Sequence, residues 1–502
     1  MMNRRVLIAS IRNSDFSEAA RLAECLSESS KFSPVILDLN HNQVEIANHE
    51  KITKSLGLGF VTPRLRKVLL ENYKSHKARF FSNSKLEQNN EKNSAKSFFV
   101  NDVKSKLRGV IGIPILFLIT FLDFSSLLRK LSPRLIVLPE DVVGVDTPLL
   151  IKLAQSRNIP CLIFPYTIAN KSEAVESLKS LTAYNSTTIA TQIVKKLFPK
   201  WHYRDAKVSL IRLPIPYIIC HEIFRLTPPN PWMMNSGYAN KIAVESSKML
   251  EFYLHEGFRR DRLALTGCLA DDLQHSMLKN RANLKKELCN TLEIDESKPI
   301  ILVAAPPNQL VAGHRPGFEF DNFRSGLKTV FRALDVHSKQ YNILVRPHPG
   351  HMDLEGCLEG TACKKITQDT ALLIPLCDIY VAFASATIRW AITAGKPVLN
   401  YDIFQYNYED YNAARAVITV SSLNDFECQL KKLCCNSRDY AILKQIQDEC
   451  AGQWGMLDGL CGARLTAICE KLILEPTQIR TGNTTVHRPF TNNKIKAASE
   501  FN

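Results

Sequence analysis

The feature that most constrains this sequence is a repeated alternation of short apolar runs and amphipathic segments. Residues 5–11 (RVLIASI) form a β-type run, and FSEAARLAECLSES after it has apolar positions at helical spacing. A second apolar run, SPVILDLN, follows. This order of strand, turn, helix and strand is typical of a parallel sheet covered by helices, so we predict an α/β fold.

The alternation resumes at residue 133 and again near residue 299, and 502 residues are enough for two separate cores. In the first half we predict strands in PRLIVLPED, IPCLIFPYTI and DRLALTGCLADD, helices in TPLLIKLAQSRN and NKIAVESSKMLEFYLHEGF, and further sheet or core at 206–223. In the second half the predicted strands lie in KPIILVAAPPNQL, YNILVRPHPGH, CDIYVAFA and KPVLNYD. We therefore expect one domain at 1–275, a second at 285–475 and a disordered tail at 476–502.

A basic insertion near residues 64–123 interrupts the first domain. Residues 64–108 hold twelve Lys or Arg against four Asp or Glu, a net charge of +8. The apolar stretch GVIGIPILFLITFLDF follows, and at about fifteen residues it is shorter than the roughly twenty that span a bilayer. A buried helix is the slightly favoured interpretation. The alternative is a basic, apolar segment lying on the anionic inner face of a membrane.

Composition excludes several classes of protein. The 14 cysteines include no C-x-x-C pair, which indicates free thiols in a reducing cytoplasm and argues against a zinc site. The N-terminus lacks the long apolar region of a signal peptide, so we expect a cytoplasmic protein. The alternative is a cytoplasmic protein attached peripherally to the inner face of the membrane. The net charge of +15 indicates an anionic partner, but no nucleic-acid-binding module is recognisable.

Candidate binding residues lie in three loops that leave predicted strands of the second half, where parallel sheets bind their ligands. Arg346 and His348 stand in a proline-fixed R-P-H-P loop, where rigid cations suit a diphosphate. Ser385 and Thr387 precede a helix, whose N-terminus is an anion site, although an ordinary helix cap is the alternative. The third loop, after ILVAAP, offers further polar groups: Gln309, His314 and Arg315.

These segments resemble the GT-B glycosyltransferase architecture. The resemblance rests on T-G-C at 266–268, R-P-H-P at 346–349 and S-A-T…A-G-K-P-V between 385 and 398, and it covers residues 200–415 best. It is closest to bacterial surface-polysaccharide enzymes, namely capsule transferases, CDP-glycerol glycerophosphotransferases and relatives of UDP-N-acetylglucosamine 2-epimerase. The 2-epimerase opening G-T-R-P-E is absent, because residues 9–13 read ASIRN.

The resemblance implies two Rossmann-like domains facing a cleft and a glycosyltransferase that uses a nucleotide-sugar donor. Arg346, His348, Ser385 and Thr387 would hold the donor phosphates, so no metal or other cofactor is expected. The acceptor would be a surface polysaccharide, such as a capsule, or a lipid-linked saccharide of the cell envelope. In an inverting reaction a carboxylate of the first domain would take the acceptor proton. The candidates stand at predicted strand exits, where capping the next helix is the alternative role: Asp15, Glu140 and Asp141.

Other functions are possible for two α/β domains. Transfer of a polyol phosphate from a CDP-glycerol-type donor is one alternative, and a non-catalytic GT-B protein that binds nucleotide during polysaccharide assembly is another. A dinucleotide-dependent oxidoreductase should show G-x-G-x-x-G after an early strand, but SIRNSDF stands there. A P-loop enzyme is excluded because no G-x-x-x-x-G-K-[ST] occurs.

Overall fold

The computed structural model describes residues 4–40, 42–63 and 94–475, except for positions 167, 171, 180, 182, 183, 186, 206, 207, 311–314, 350–353 and 355. It gives only the backbone of residues 94–111. Most of the predicted polar loop, 64–93, and the predicted disordered tail, 476–502, lie outside the described residues.

The strands form two parallel sheets and one short hairpin. In chain order the strands of the first half are β1 (Arg5–Ser10), β2 (Ser33–Asp38), β3 (Gly59–Val61), β4 (Leu135–Leu138), β5 (Cys161–Ile163), β6 (His202–Arg204), β7 (Ser209–Ile211), β8 (Lys241–Val244) and β9 (Leu263–Leu265). Those of the second half are β10 (Ile300–Ala304), β11 (Asn342–Arg346), β12 (Lys364–Lys365), β13 (Ile379–Ala382), β14 (Val398–Tyr401) and β15 (Val417–Val420).

Helices cover both faces of the sheets. Those that precede β10 are α1 (Asn13–Glu28), α2 (Gln43–Ser55), α3 (Ser94–Leu131), α4 (Thr147–Gln155), α5 (Glu173–Leu178), α6 (Ile189–Leu197), α7 (Ile215–Ile223), α8 (Ser247–His255), α9 (Leu269–Lys279) and α10 (Arg281–Leu292). Those that follow β10 are α11 (Phe323–Asp335), α12 (Thr370–Leu373), α13 (Ile388–Thr393), α14 (Leu423–Cys435), α15 (Ser437–Trp454) and α16 (Cys461–Leu474).

Each large sheet is the centre of one lobe. The first lobe has a seven-stranded sheet of order β3-β2-β1-β4-β5-β8-β9, and the second lobe has a six-stranded sheet of order β12-β11-β10-β13-β14-β15. Neighbouring strands are parallel within both sheets, and only the β6–β7 hairpin is antiparallel among the described pairs. The predicted α/β fold with two Rossmann-like domains is confirmed.

The strands are apolar throughout because both faces of each sheet are buried. In β1, Leu7 and Ala9 pack into one core and Val6 and Ile8 into another, on the opposite face. The second sheet has the same two-layer arrangement. Helix α16 packs on the first lobe, where its apolar side chains join the core of Val6 and Ile8, although it lies in the range predicted for the second domain.

Two predicted elements differ from the structure. The segment NKIAVESSKMLEFYLHEGF was expected to be one helix, but it contains strand β8 and then helix α8. Ser246 caps the N-terminus of α8, where its side chain accepts a hydrogen bond from Met249 N. Its β-branched and apolar start, KIAV, is buried between β5 and β9 and belongs to the sheet. Residues 206–223 hold β7 and the helix α7, rather than further sheet of the main core.

The apolar stretch that follows the basic residues 64–108 is longer than the roughly fifteen residues predicted from the sequence. It is part of α3, in which Gly112–Leu131 has a mean hydropathy of 1.6 and is long and apolar enough, by length and composition, to cross a membrane. Only 28% of this stretch is buried. Phe124 and Leu128 pack into the first lobe's core, whereas Leu118 and Leu122 are exposed. The prediction of a buried helix therefore holds for one face only.

Candidate active site

A cleft of about 280 Å³ lies between the two lobes. The second lobe lines it with three loops that follow β10, β11 and β13, at the carboxyl edge of the sheet. The first lobe contributes side chains from the start of α1, the loop after β5 and the end of β8: Ser14, Ser17, Pro165, Tyr166, Ile168 and Glu245. Arg346, His348, Ser385 and Thr387 all line this cleft, so the structure brings these predicted donor-binding residues together.

Arg346 and His348 form the wall of the cleft after β11. The Arg346 guanidinium donates from Nε to the Gln368 carbonyl oxygen at 3.1 Å and from Nη1 to the Pro347 carbonyl oxygen. These bonds use only part of the donor fork, which carries five N–H groups. Burial lowers the pKa of Arg346, and nearby Asp369 opposes that shift, so the group stays cationic at neutral pH.

A chain of hydroxyl groups fixes the loop after β13. The Thr387 hydroxyl lies 2.6 Å from the Tyr380 hydroxyl and 2.7 Å from the Ser385 hydroxyl. Ala384 has a φ of +49°, and its N–H donates to Asn400 Oδ1 at 2.8 Å. A left-handed alanine is strained, so these contacts hold the loop in a conformation it would not adopt alone.

The hydroxyl groups do not cap the following helix as the sequence suggested. Helix α13 begins at Ile388, has six residues, and has Thr387 as an N-cap that makes no side-chain capping hydrogen bond. The Ser385 hydroxyl accepts from Thr387 N at 3.3 Å instead, which closes the loop on itself. The loop therefore presents hydroxyl groups to the cleft rather than a side-chain-capped helix N-terminus.

The third predicted loop is only partly at the cleft. Gln309 lines the cleft, and its Oε1 accepts a hydrogen bond from the Tyr406 hydroxyl. Arg315 is buried behind it, where Nε donates to the Phe404 carbonyl oxygen and the guanidinium lies 4.0 Å from the centre of the Tyr406 ring. Arg315 thus supports the loop after β14 and does not line the cleft. His314 lies outside the described residues.

Asp15 occupies the first turn of α1 and is fully buried. Its carboxylate accepts from the Ser10 hydroxyl at 2.7 Å, from Ile11 N at 2.9 Å and from Arg12 N at 3.0 Å. Burial raises the pKa of Asp15 to about 7, although these hydrogen bonds oppose the shift. The expected role as an acceptor base is not supported, because Asp15 is a helix-capping group and does not line the cleft.

Asp141 and Glu140, the other predicted bases, also lie behind the cleft surface. Asp141 Oδ2 accepts from Tyr238 N at 3.1 Å and fills the space where a side chain at Gly237 would clash, since a Cβ there would lie 1.9 Å away. Burial raises the pKa of Asp141 to about 6. Glu140 is buried and pairs with the Arg12 guanidinium at 2.6 Å. Both carboxylates fix loops of the first lobe.

Glu245 is the carboxylate that the first lobe places in the cleft. It directly follows β8, is buried to 95%, and its Oε1 has no hydrogen-bond partner among the described residues. Burial raises the pKa of Glu245 to about 7, and the Arg389 guanidinium opposes the shift. Glu245 was not predicted from the sequence because the segment KIAVESS was expected to be helical. Had β8 been recognised, its exit would have identified Glu245.

The floor of the cleft joins the lobes through a buried ion pair. Arg389, on α13, donates to Asp271 Oδ1 at 3.1 Å and to the Trp454 carbonyl oxygen at 3.0 Å. Asp271 lies on α9, which connects the lobes, and also accepts from Met456 N at 3.0 Å. Because the pair links helices from both sides of the junction, it helps to hold the two lobes together beside the cleft.

One group of described side chains, Asp272, Asp458 and Cys461, has the spacing of metal ligands. Each carboxylate already has a protein partner. Asp272 accepts from Cys461 N at 3.0 Å and from Gly462 N at 2.8 Å, and Asp458 pairs with Arg464. These bonds attach α16 to α9, so the group has a structural role.

No protein-family model and no curated protein matches the sequence. The structure, however, is similar to UDP-GlcNAc 2-epimerase from Neisseria meningitidis, with 12% identity, a TM-score of 0.51, and 93% of this chain and 100% of that chain covered. It is similar to the calicheamicin glycosyltransferase CalG4, with 11% identity, a TM-score of 0.50, and coverage of 94% and 98%. It is also similar to the wall teichoic acid polymerase TagF, with 9% identity, a TM-score of 0.50, and coverage of 94% and 89%. Together with the two parallel sheets and the cleft between them, these similarities show that the chain has the GT-B fold.

Proposed function

We propose that this protein is a glycosyltransferase that moves a sugar from a nucleotide-activated donor to a polysaccharide or lipid-linked acceptor of the cell envelope. The observation that carries the proposal is the convergence of Arg346, His348, Ser385 and Thr387 on one cleft opposite a buried carboxylate, Glu245. Cations and hydroxyl groups on one wall suit a diphosphate, and an acid–base group on the other suits an acceptor hydroxyl.

In this proposal the second lobe holds the donor. The donor diphosphate accepts hydrogen bonds from the Arg346 guanidinium, from the His348 ring and from the hydroxyl groups of the loop after β13. When the bond between the sugar and the diphosphate breaks, negative charge develops on the leaving oxygen. The fixed cation and hydroxyl groups stabilise that charge without reorganising, which is the larger share of the rate enhancement expected here. The proposed reaction uses no metal.

Glu245 acts as the base in the proposed reaction. Its carboxylate takes the proton of the acceptor hydroxyl while the acceptor oxygen bonds to the sugar carbon and the nucleoside diphosphate leaves. A carboxyl with a pKa of about 7 suits this task, because half of it is ionised at neutral pH and it still holds the proton well. This assignment replaces Asp15, Glu140 and Asp141, whose carboxylates are engaged elsewhere.

The main alternative to this proposal is a transferase that uses a different class of donor. The structures similar to this one include a UDP-GlcNAc complex and one determined with CDPG, so transfer of a polyol phosphate is a second candidate. A GT-B protein that binds nucleotide without turnover is the third. We place the protein on the cytoplasmic side of the inner membrane, where nucleotide-activated donors are available.

A thermal-shift panel of UDP-, CDP-, GDP-, CMP- and dTDP-activated compounds tests donor binding. We expect one nucleotide class to stabilise the protein, and His348→Ala and Arg346→Ala each to remove that shift. His255→Ala and Arg332→Ala, both at exposed residues that do not line the cleft, are the matched controls and should respond like the wild type. If no nucleotide stabilises the protein, or if the cleft variants respond like the controls, the proposed donor site is wrong.

Turnover separates the three candidates. With the stabilising donor and an envelope-derived acceptor, a glycosyltransferase releases nucleoside diphosphate, whereas a polyol-phosphate transferase releases nucleoside monophosphate. Retained nucleotide binding without release of either product identifies a binding protein and contradicts the proposed enzyme.

A further inference from the structure

Helix α6 carries a row of apolar side chains that face solvent. Ile189, Ile193 and Leu197 follow one another at intervals of four residues and therefore share one face of the helix. Their exposed fractions are 81%, 51% and 65%. On the opposite face Thr191 and Val194 are buried. A two-turn row of exposed branched residues is larger than the single apolar side chains that a surface ordinarily shows.

Helices α7 and α3 carry similar rows. On α7, Ile219 and Ile223 are four residues apart and exposed, Ile223 to 71%. On α3, Ile115, Leu118 and Leu122 are each about half exposed, and the spacing of three and four residues again places them on one face. Of the 17 exposed large apolar residues in the described part of the chain, eight belong to these three helices.

The three helices are neighbours. Val194 of α6 and Ile218 of α7 pack in one small core around Trp201. Phe117 of α3 packs against the rings of Tyr217 and Phe224, at centroid distances of 6.2 and 5.8 Å. The exposed rows therefore belong to one region of the first lobe, away from the residues that line the cleft.

Several cationic side chains lie on or beside these helices, and the acidic side chains described on the helices are buried or hydrogen-bonded. Among the residues whose side chains the structure describes, the exposed cations include Arg129, Lys130, Lys196, Lys200 and Arg225. Asp123 of α3 is buried. Glu222 of α7 accepts hydrogen bonds from Trp201 Nε1 at 2.7 Å and from the Thr227 hydroxyl at 2.8 Å. In addition, residues 64–108, which lead into the apolar part of α3, carry a net charge of +8 in the sequence.

We propose that the exposed faces of α3, α6 and α7 form a docking surface for an anionic phospholipid bilayer, with the apolar rows entering the interfacial region and the cations contacting lipid phosphates. Apolar rows flanked by Lys and Arg are what an interfacial helix requires, since burial of apolar area and attraction to anionic lipid both contribute to binding. A second copy of this chain is the less suitable occupant. Protein interfaces are depleted in Lys, and pairing two copies would bring like charges together.

The proposal does not depend on the proposed function, because membrane binding requires no donor. The experiment is vesicle flotation of the full chain without nucleotide, using phosphatidylcholine vesicles with or without about 30 mol% phosphatidylglycerol. We expect binding to the anionic vesicles to exceed binding to the neutral ones by about tenfold and to weaken as salt is raised.

Two pairs of substitutions test the surface. Ile193→Ser with Leu197→Ser should lower partitioning to anionic vesicles about tenfold, because two exposed apolar side chains leave the interface. Lys196→Gln with Lys200→Gln should lower it to a similar extent on anionic vesicles only. Val336→Ser with Ile442→Ser is the matched control, since both are exposed apolar residues of the second lobe, and it should bind like the wild type.

Three results would overturn the proposal. The first is a wild-type protein that does not float with anionic vesicles. The second is equal flotation of the α6 variants and the control, with thermal melting showing that all are folded. The third is a wild-type dimer in sedimentation velocity that becomes monomeric in the Ile193→Ser, Leu197→Ser variant, which would assign the surface to a second copy of the chain. A failed nucleotide panel would leave the vesicle result unaffected.

Discussion

Replacing Glu245 by Gln gives the sharpest test of the carboxylate assigned to the cleft. The substitution removes a buried carboxyl whose ionised form lowers the stability of the folded protein. The substitution keeps the shape of the side chain and leaves the neutral form in place at every pH. The wild-type carboxyl has a pKa of about 7 in the folded protein, against its ordinary 4.5. The folded state therefore keeps a proton that the unfolded state has already released between these two values.

The sign of the effect follows directly. Where the folded state binds more protons than the unfolded state, the free energy of unfolding falls as pH rises. The stabilising contribution of the protonated Glu245 carboxyl to the free energy of unfolding is thus fully present below pH 4.5 and is lost between about pH 4.5 and 7. Above pH 7 the free energy of unfolding no longer changes through this group. Since one pKa unit corresponds to about 1.4 kcal/mol, the loss is on the order of 3 kcal/mol.

The assay is urea denaturation of the wild type and of Glu245→Gln at several pH values between 4 and 8.5. We expect similar midpoints at pH 4 and a more stable variant at pH 8, by up to about 3 kcal/mol. Glu251→Gln, an exposed residue on the helix that follows β8, is the matched control and should track the wild type. A stability difference between wild type and Glu245→Gln that does not change with pH would refute the assignment of a strained, ionisable group to this position.

The same variant tests catalysis. If Glu245 is the base, Glu245→Gln lowers kcat by about 10²–10⁴-fold while the nucleotide-induced thermal shift is retained. Loss of nucleotide binding together with activity would instead indicate that Glu245 holds the donor.

Two further predictions concern buried charge. Burial lowers the pKa of His221 to about 4, so its contribution to the free energy of unfolding is fully present above pH 6.5 and is lost as the pH falls toward 4. His221→Phe keeps the ring contact with Phe117, and its free energy of unfolding should rise by about 2 kcal/mol relative to that of the wild type between pH 7 and pH 5. A difference in urea midpoints that stays constant with pH would contradict this. Arg389→Met leaves the buried Asp271 carboxylate without its cation and should lower the free energy of unfolding by about 3–5 kcal/mol. Arg415→Met, which removes an exposed pair with Glu449, should lower it by less than about 1 kcal/mol. Equal losses of both variants in chemical denaturation would show that the buried pair at the junction is not stabilising.

Much of the fold was determined by the sequence alone. Parallel strands buried on both faces must be continuously apolar, and helices covering them must alternate with them, so runs such as RVLIASI and YNILVRP were recognisable. Because ligands bind at the carboxyl edge of such sheets, the loops of Arg346 and Ser385 could be identified before their positions were known, and both line the cleft.

Only the tertiary structure decided which carboxylate of the first lobe reaches the cleft. Asp15, Glu140 and Asp141 follow strands just as Glu245 does, but chain order does not reveal whether a carboxylate turns toward a helix terminus, a neighbouring loop or the cleft. The same holds for α3, whose composition favoured a buried helix, whereas the structure buries one face and exposes the other. Which side chains are buried depends on contacts between segments distant in the chain, and local patterns carry no record of those contacts.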